Sequence, residues 1–448
     1  MKHLIKKIVI VGSRAAGPAA AAKARRENPD AEITMIDSGR YVSTGTCEIP
    51  YLISGEVTSP GELLFFSKED FSRHYNVELL LETKVLSINA RTRVLRAEKN
   101  GTGFDLTYDR LVLATGARHI IHPLFPRETE NVFYVRNIEE IEELLIQSET
   151  VNKKWCVVGA SYSGVEFAES LKKSGNEVFL IDKEPLPVHG FVTEIRELVK
   201  ESLVSEGIDF YGNISDLKVF SDGGKVRKIK IDGRLKECDH VIVAIGIEPN
   251  ADLAKSAGLE IGGYGGIKVD SRMRTSDPNI FAAGDCVELK EKITGRPAWL
   301  PMAKLARDGG HIAGANAAGG NEFMNPVIRN LSLRVFNNFA TATGICTSRM
   351  EKYQIPYKSV SATSDAIIKV MPDFHKVFGK IFYGNDGKIL GAGFFGGREV
   401  SGYCDIIALA IKAGLKITDL RESNFNYTPT LSPFKNLLEI LAYKAVQK

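Results

Sequence analysis

Residues 8–17 read Ile8-Val-Ile-Val-Gly12-Ser-Arg-Ala-Ala-Gly17, a short apolar run that passes directly into a turn bounded by glycines. Asp37 follows Gly17 by 20 positions, after a second apolar run. This spacing is typical of a βαβ unit that binds a dinucleotide. The first glycine permits the tight turn, the last allows close packing of the helix, and the acid accepts hydrogen bonds from a ribose. Arg14 replaces the middle glycine, so this motif alone is weak evidence.

A second copy of the unit lies in the middle of the chain. It reads Cys156-Val-Val-Gly159-Ala-Ser-Tyr-Ser-Gly164, with Ser161 in place of the middle glycine, and Asp182 follows Gly164 by 18 positions. A carboxylate at this position repels a ribose 2′-phosphate, which favours NADH over NADPH. The adjacent cation Lys183 weakens that preference, so NADPH stays open as a cofactor.

Two further segments indicate which copy holds which cofactor. Leu111–Gly116 returns the chain to the first predicted sheet, and Thr275–Asp285 does so again after the second copy. Asp285 follows a strand and a glycine, where its carboxylate can bind the hydroxyls of a sugar alcohol such as the ribityl chain of FAD. The sequence therefore predicts that the first unit binds FAD and is split by an inserted nicotinamide-nucleotide unit.

The alternation of β-branched runs with helix-like segments indicates an α/β fold with two Rossmann-like domains. From about Asn325 the pattern becomes mixed strand and helix without a glycine fingerprint, and a helix is predicted from Phe434 to Val446. We predict an FAD-binding domain over 1–118 and 240–324, an NAD(P)H-binding domain over 119–239 and a C-terminal α+β domain over 325–448. The predicted central strands are Lys7–Val11, Glu32–Ile36, Leu111–Ala114, Trp155–Val158, Val178–Ile181, Val241–Ile245 and Ile280–Ala283.

Composition excludes several classes of function. A net charge of +3 over 448 residues argues against both nucleic acid and a membrane surface as partners. The six cysteines are scattered without a C-x-x-C pair, which gives neither a disulfide framework nor metal-ligand spacing and suggests a reducing, cytoplasmic location. No apolar run is long enough for a signal-peptide core or a membrane span.

One cysteine lies in the position expected for redox chemistry beside the first nucleotide. Cys47 follows Asp37 by ten residues, within Ser43-Thr-Gly-Thr-Cys47-Glu-Ile-Pro-Tyr-Leu-Ile-Ser-Gly55. Position 52 is leucine, so no partner cysteine stands five residues on. Cys47 would work alone, as a thiolate, a sulfenic acid or half of a mixed disulfide. Pro50 predicts a helix start here, and its dipole would lower the pKa of the thiol.

Taken in order, these motifs resemble the pyridine nucleotide–disulfide oxidoreductases over essentially the whole chain. Within that family, Cys47 followed by Ile49-Pro50-Tyr51 and Gly55 is similar to the single-cysteine branch. That branch includes coenzyme A-disulfide reductases, persulfide or polysulfide reductases, NADH oxidases and NADH peroxidases. The resemblance implies a glutathione-reductase-like architecture, FAD, a homodimer with a C-terminal dimerisation domain, and a small-molecule disulfide or persulfide as substrate.

The glycine loop helps to choose among these activities. Oxidases and peroxidases of the branch carry a histidine where this chain has Ala15, and no histidine lies between His3 and His74. This favours a disulfide or persulfide substrate, because a leaving thiol needs less proton help than peroxide, and the resemblance implies coenzyme A as substrate or product. Two alternatives remain: an NADH oxidase or peroxidase that cycles Cys47 through sulfenic acid, and a non-enzymatic FAD/NADH redox sensor or electron relay.

The resemblance also implies substrate-binding residues. Lys23 and Arg26 share a face of the helix after Gly17, which holds coenzyme A phosphates in the reductases; a solvated basic helix end is the competing interpretation. Polar contacts from Ser43 and Thr46 flank the cysteine. Tyr427 matches the first of two C-terminal tyrosines that reach the partner subunit's cysteine, so it is predicted to be catalytic together with Cys47. Leu431 stands where the second tyrosine would be, which leaves the exact substrate open.

The predicted cofactor contacts come from the two fingerprints and the segments that follow them. They are Gly12, Ala15, Ala16, Gly17, Asp37, Ser38, Thr115, Gly116, Gly159, Ser161, Tyr162, Ser163, Gly164, Asp182, Gly246, Gly284, Asp285 and Ala303.

Overall fold

The computed structural model describes residues 5–148 and 152–447. Its first sheet is five-stranded and parallel, and the strand of residues 7–11 lies in its centre. The apolar residues of that strand are buried in a core formed with helices Ala16–Glu27 and Ala303–Ala317 and with the antiparallel strands of residues 83–107, which explains its nearly continuous hydrophobic sequence. In spatial order the strands are Ile280–Ala282, Arg110–Leu113, Lys7–Val11, Glu32–Ile36 and Glu78–Leu80.

A second five-stranded parallel sheet repeats this arrangement around the second fingerprint. In spatial order its strands are Asp209–Tyr211, Glu177–Ile181, Lys154–Val158, His240–Val243 and Val132–Phe133. The strand His240–Val243 pairs in parallel with Lys154–Val158, so this sheet continues past the predicted boundary between residues 239 and 240. The structure therefore corrects the predicted boundary. The sequence of an apolar strand is compatible with either sheet, and only the hydrogen-bond register shows which sheet the strand joins.

The C-terminal region contains a five-stranded antiparallel sheet covered by helices, which confirms the predicted α+β pattern. In spatial order its strands are Asn330–Val335, Asn338–Gly344, Ile389–Gly396, Lys376–Tyr383 and Lys358–Asp365. The smaller sheets are formed by Thr83–Asn89, Val94–Lys99 and Thr102–Thr107; by Leu217–Asp222, Lys225–Ile231 and Arg234–Glu237; by Ala117–His119 and Ile247–Pro249; and by Ile267–Lys268, Val287–Lys290 and Pro297–Ala298.

The helices pack on these sheets, and two of them cross closely. The helices are α1 (Ala16–Glu27), α2 (Ile49–Ile53), α3 (Lys68–Tyr75), α4 (Ile138–Ser148), α5 (Tyr162–Lys173), α6 (Thr193–Ser205), α7 (Asp252–Ser256), α8 (Ala303–Ala317), α9 (Thr347–Lys352), α10 (Glu399–Ala413), α11 (Ile417–Arg421) and α12 (Leu437–Val446), with a 3₁₀ turn over Pro60–Leu63. Helix α8 lies against α1 because glycines face it: a Cβ on Gly310 would stand 2.3 Å from the carbonyl oxygen of Ala16.

All seven predicted central strands are confirmed to within one or two residues, and the predicted C-terminal helix begins at Leu437 rather than Phe434. Asn436 supplies the helix N-cap by accepting a hydrogen bond from the backbone of Leu438, which fixes this start. Within the described residues, none of the helices has the length and apolar character needed to cross a bilayer.

Candidate active site

The first fingerprint forms a steric cradle at the carboxyl end of its strand. Gly12 has φ +113°, and a Cβ there would lie 2.1 Å from the carbonyl oxygen of Ala114. A Cβ on Gly17 would lie 1.8 Å from the carbonyl oxygen of Gly12. Asp37 closes the loop, because its carboxylate accepts hydrogen bonds from the backbone of Ser13 at 2.7 Å and of Gly39 at 2.7 Å. The glycines are therefore required by close backbone approach, as a dinucleotide loop demands.

The second fingerprint has the same construction. Gly159 has φ +99°, and a Cβ on Gly164 would lie 1.8 Å from the carbonyl oxygen of Gly159. The hydroxyl of Ser161 caps α5 by accepting a hydrogen bond from the backbone of Gly164. The carboxylate of Asp182 accepts hydrogen bonds from the backbone of Ala160 and, at 2.8 Å, of Glu184. Both units thus end in a carboxylate held at the edge of the loop.

A cationic cavity adjoins the first loop. It has a volume of about 340 Å³, and its lining includes Arg14, Arg118, His119, Arg127 and Arg136. Arg136 pairs with Asp285 at 2.7 Å, although its buried Nε has no hydrogen-bond partner among the described residues. Glu140 also lines the cavity, and Arg118, Arg127 and Arg136 are each paired with a carboxylate. Arg14 has no ion-pair partner in the described part of the chain, so it is the lining arginine that suits the negatively charged pyrophosphate of a dinucleotide. Sequence reasoning missed Arg136, because nothing in its local sequence separates it from an ordinary surface arginine.

The other predicted cofactor residues lie around these two loops. Thr115 donates its hydroxyl hydrogen to the carbonyl oxygen of Asn250 at 2.6 Å. This bond connects the end of the first sheet to the segment that follows the strand Ile247–Pro249. Gly116, Gly246 and Gly284 all have positive φ, and Gly284 packs against Ala16. Ala303 begins α8 and is exposed. Ala15, Ser38, Tyr162 and Ser163 lie within or next to the two glycine loops. The positions around the first loop fit FAD, and Tyr162 and Ser163 in the second loop fit the nicotinamide nucleotide, as the fingerprints predict.

Cys47 lies on a loop that is pinned to the first fingerprint. Ser43 has φ +54°, and its backbone donates to the carbonyl oxygen of Ser13 at 2.8 Å. The thiol is exposed two residues before α2, where Pro50 occupies the first turn, as predicted. Among the other described cysteines, Cys156, Cys238, Cys286 and Cys404 are buried, and Cys346 is half-buried. Cys47 is therefore the accessible thiol beside the predicted FAD loop.

The prediction of a lowered pKa for Cys47 is wrong in direction. Although the side chain is exposed, the surrounding protein desolvates the thiol and raises its pKa, and the carboxylates of Glu48, Glu166 and Asp285 raise it further. A hydrogen bond from Thr46 acts in the opposite sense. Helix α2 has only five residues, so its dipole contributes little against the desolvation of the thiol and the nearby carboxylates.

Glu166 is a second titratable group that sequence reasoning missed. It lies on α5, and burial together with the charge of Glu169 raises its pKa to about 7, while Arg334 acts in the opposite sense. The available signal in the sequence was a carboxylate two residues after Gly164, inside the second fingerprint helix. Its ionisation near neutral pH makes the charge facing Cys47 dependent on pH.

The predicted phosphate ligands differ in their availability. Lys23 pairs with Glu322 at 2.6 Å and with Glu27 at 3.7 Å, and the hydrogen bond to Glu322 raises its pKa. Arg26 is exposed and has no ion-pair partner among the described residues. Across the helix crossing, Arg307 is likewise exposed and unpaired in the described part of the chain, and His311 is half-buried one turn further along α8.

Tyr427 lies in the exposed segment before α12. Its ring is half exposed and packs edge-on against Phe434, with ring centroids 5.5 Å apart. Leu431 is 69% exposed in the same segment. Within the described chain, no contact joins Tyr427 to Cys47, so its catalytic role stays a prediction.

Two dinucleotide loops and an accessible thiol pinned beside the first of them define a redox enzyme that uses a flavin and a pyridine nucleotide. The family model for pyridine nucleotide-disulphide oxidoreductases matches residues 6–307. The chain belongs to this family, and the predicted fold and class of enzyme, an FAD-dependent NAD(P)H oxidoreductase, are confirmed.

Three relatives are similar over nearly the whole chain. A protein of Methanocaldococcus jannaschii named NADH oxidase is 32% identical over 443 residues, which is 98% of each chain. The NAD(P)H coenzyme A polysulfide/persulfide reductase of Pyrococcus horikoshii is 27% identical and also covers 98% of each chain. The solved structure of an NAD-dependent persulfide reductase from A. fulgidus has a TM-score of 0.94 at 31% identity, over 98% of this chain and 83% of that one.

Proposed function

We propose that this protein reduces coenzyme A-linked disulfides or persulfides with electrons from NAD(P)H, and that Cys47 is the reacting thiol. One observation carries the proposal: an exposed cysteine without a nearby partner cysteine, on a loop bonded to the first glycine loop. A lone thiol in that position forms a mixed disulfide with a small substrate, because no internal disulfide is available to it.

The residues of the chain divide the work as follows. Gly12, Gly17 and Asp37 would hold FAD, and Asp285, which is paired with Arg136, would bind its ribityl hydroxyls. FAD supplies a two-electron relay between the nicotinamide and sulfur. Gly159, Gly164 and Asp182 hold the nicotinamide nucleotide.

The sulfur chemistry falls to Cys47. Its thiolate attacks one sulfur of the substrate, the substrate S–S bond breaks, and the first thiolate leaves and takes a proton. The second thiol is released when two electrons and a proton reduce the mixed disulfide. The sum is one NADH and one proton consumed for two thiols formed from one disulfide. The raised pKa of Cys47 makes this attack faster as the pH rises.

The oxidase activity named for the M. jannaschii relative is the main competing function. Reduction of oxygen or peroxide needs protons delivered to an oxygen leaving group, and a histidine is the usual donor. The first glycine loop has Ala15 where oxidases and peroxidases of the branch carry a histidine. This favours the reductase over the oxidase. A redox sensor or electron relay would need a protein partner, for which no described feature argues.

The coenzyme A end of the substrate has a candidate binding surface between α1 and α8. Arg26 and Arg307 are exposed and unpaired in the described chain, and His311 lies between them. Burial lowers the pKa of His311, and the charges of Arg307, Arg26 and Lys23 lower it further, whereas Asp308 acts in the opposite sense. A phosphate group would relieve this concentration of positive charge. Ser43 and Thr46 are proposed to contact the thiol end.

The nicotinamide cofactor is proposed to be NADH rather than NADPH. Asp182 is fixed by two backbone hydrogen bonds at the position where a ribose 2′-phosphate would lie, and Glu184 adds a second negative charge two residues further on. Lys183 is the opposing charge.

We further propose a homodimer that forms through the C-terminal domain, residues 325–448. Large apolar side chains of this region are exposed, including Val370 at 85%, Phe434 at 76% and Leu409 at 66%. Burying them against a second copy would remove this apolar surface from water and bring Tyr427 towards the partner. We move the boundary between the nicotinamide domain and the second part of the FAD domain past Val243. Otherwise we keep the proposal of an FAD domain that is split by an inserted nicotinamide domain. A cytoplasmic location fits a chain with free cysteines.

An anaerobic assay of NADH oxidation tests the function directly. The flavin-loaded enzyme is offered coenzyme A disulfide, coenzyme A persulfide, glutathione disulfide and hydrogen peroxide in turn, and oxygen uptake with NADH alone is measured separately. The proposal expects turnover with the coenzyme A compounds well above the other substrates. Rapid oxygen uptake with NADH alone, and no turnover of any disulfide, would support the oxidase instead.

A further inference from the structure

A cluster of four charged side chains joins three separate parts of the chain next to the cysteine loop. The bridging cluster consists of Glu56, Glu169, Lys173 and Arg334. Glu169 lies on α5 and is only 2% exposed. Its carboxylate accepts hydrogen bonds from Lys173 at 2.6 Å, from Nε of Arg334 at 3.1 Å and from the backbone of Phe336 at 2.8 Å. A buried carboxylate with three donors is fully satisfied and therefore holds its neighbours in place.

Arg334 also reaches the segment that follows Cys47. Its guanidinium lies 4.7 Å from the centre of the Tyr51 ring and donates a hydrogen bond to Glu56. Lys173 is 3.6 Å from the same carboxylate. Arg334 comes from the C-terminal domain, so a single side chain connects that domain to α2, which follows Cys47, and to α5, the helix of the second fingerprint.

Helix α2, which begins two residues after Cys47, depends on such contacts for its orientation. Helix α2 contains five residues, too few to be stable by its own hydrogen bonds. Its apolar side chains, such as Ile49 and Ile53, are buried in a core shared with α5. The hydroxyl of Ser174, just after α5, donates to the carbonyl oxygen of Ile53. Any movement of α5 or Arg334 is therefore passed to α2.

We propose that Arg334 is a positioning residue for the thiol: it clamps Tyr51 and Glu56 against Glu169 and so fixes the direction of Cys47 relative to the nicotinamide-binding helix. The proposal rests on the proposed function only in taking Cys47 as the reacting thiol. Transfer of electrons to a substrate sulfur depends on placement, and an error of about 1 Å can cost on the order of a hundredfold in rate. The reduction of the flavin by NADH does not involve Cys47 and should not depend on this clamp.

The same residue sets part of the local charge. Arg334 faces Glu56 after α2, Tyr51 on α2, and Glu166, Glu169 and Lys173 on α5. Removing its positive charge leaves the carboxylates less compensated. The pKa of Glu166 should then rise, because its ionised form loses the favourable charge of Arg334.

Arg329 provides the matched contrast. It also extends from the C-terminal domain to the nicotinamide domain, where it donates to the hydroxyl of Tyr162 at 2.7 Å and to the carbonyl oxygen of Gly190 at 3.0 Å. The structure gives it no contact with α2 in the described chain. A change at Arg329 should therefore act on the nicotinamide side of the reaction, and a change at Arg334 on the thiol side.

The experiment compares Arg334→Met, Arg334→Lys and Arg329→Met in the flavin-loaded protein. Stopped-flow absorbance under anaerobic conditions measures flavin reduction by NADH and its reoxidation by coenzyme A disulfide as two separate rates. The alkylation rate of Cys47 by iodoacetamide is measured against pH, and the melting temperature reports folding. Arg334→Met should slow reoxidation by at least about tenfold and change alkylation several-fold, with flavin reduction within about twofold of the parent. Arg334→Lys should recover part of the loss, and Arg329→Met should slow flavin reduction instead.

Equal slowing of both half-reactions by Arg334→Met, or an effect that Arg329→Met reproduces, would overturn the positioning role. If Arg334→Met fails to fold, Arg334→Lys carries the same comparison. If the parent reduces no disulfide, the proposed function fails, but the alkylation profile still decides the positioning role: unchanged alkylation in both Arg334 variants would reject it.

Discussion

The basic surface between α1 and α8 is predicted to bind the phosphates of coenzyme A disulfide, and the exposure of Arg26 and Arg307 sets the size of the expected effect. Changing Arg26 and Arg307 together to alanine should raise the Michaelis constant for coenzyme A disulfide. A charge-assisted hydrogen bond to phosphate contributes roughly 1.5–3 kcal/mol when well formed, but both arginines are exposed, which reduces each to about 1 kcal/mol. Two such contacts give about 2 kcal/mol, or about 30-fold in the Michaelis constant.

The assay is steady-state NADH oxidation at a fixed NADH concentration, with coenzyme A disulfide and with cystine as a phosphate-free substrate. Lys304→Ala is the control, because Lys304 lies on the same helix but is paired with Asp308. We expect the double variant to lose affinity for coenzyme A disulfide alone, and the control to resemble the parent. For His311, whose pKa is lowered, a bound phosphate favours the protonated ring, so parent affinity should improve as the pH falls from 8 to 6. An equal loss on both substrates, or no loss on either, would refute the phosphate site.

Three further predictions concern the cofactor, the thiol and the oligomer. Asp182→Ala should relax the preference for NADH by several-fold in the ratio of specificity constants, since about 1 kcal/mol of repulsion is removed; a parent that already prefers NADPH would contradict this. Glu48→Gln should lower the pKa of Cys47, so that alkylation by iodoacetamide at pH 7 becomes faster than in the parent; an unchanged pH profile would show that Glu48 exerts no charge effect on the thiol. Leu409→Asp should convert a dimer into monomers in sedimentation velocity, and a parent that sediments as a monomer would exclude the proposed interface.

The fold was predictable because its decisive residues act locally. Gly12 and Gly159 need positive φ and close contact with a neighbouring carbonyl, and no other residue type meets both demands. The strands that precede them are buried on both faces and read as continuous apolar runs. The boundary near residue 240 was missed because an apolar strand carries no mark of the sheet to which it pairs.

The site was predictable only in part, because its remaining features depend on distant residues. Arg334 and Glu56 are 278 positions apart in the sequence, and no local sequence pattern predicts their contact. The pKa of Cys47 is raised by Glu166 and Asp285, which reach it from two other segments of the chain. The resemblance implied that Lys23 binds phosphate, and neither the resemblance nor helical spacing shows that Glu322 pairs with it.

The reaction of Cys47 is the central claim, and Cys47→Ser tests it most directly. The flavin contacts come from the first glycine loop, Asp37 and Asp285, so the variant should keep its flavin absorbance and still be reduced by NADH. Its disulfide-dependent oxidation of NADH should fall by on the order of a thousandfold, since the nucleophile is lost. Undiminished disulfide turnover by Cys47→Ser would show that another group carries the reaction.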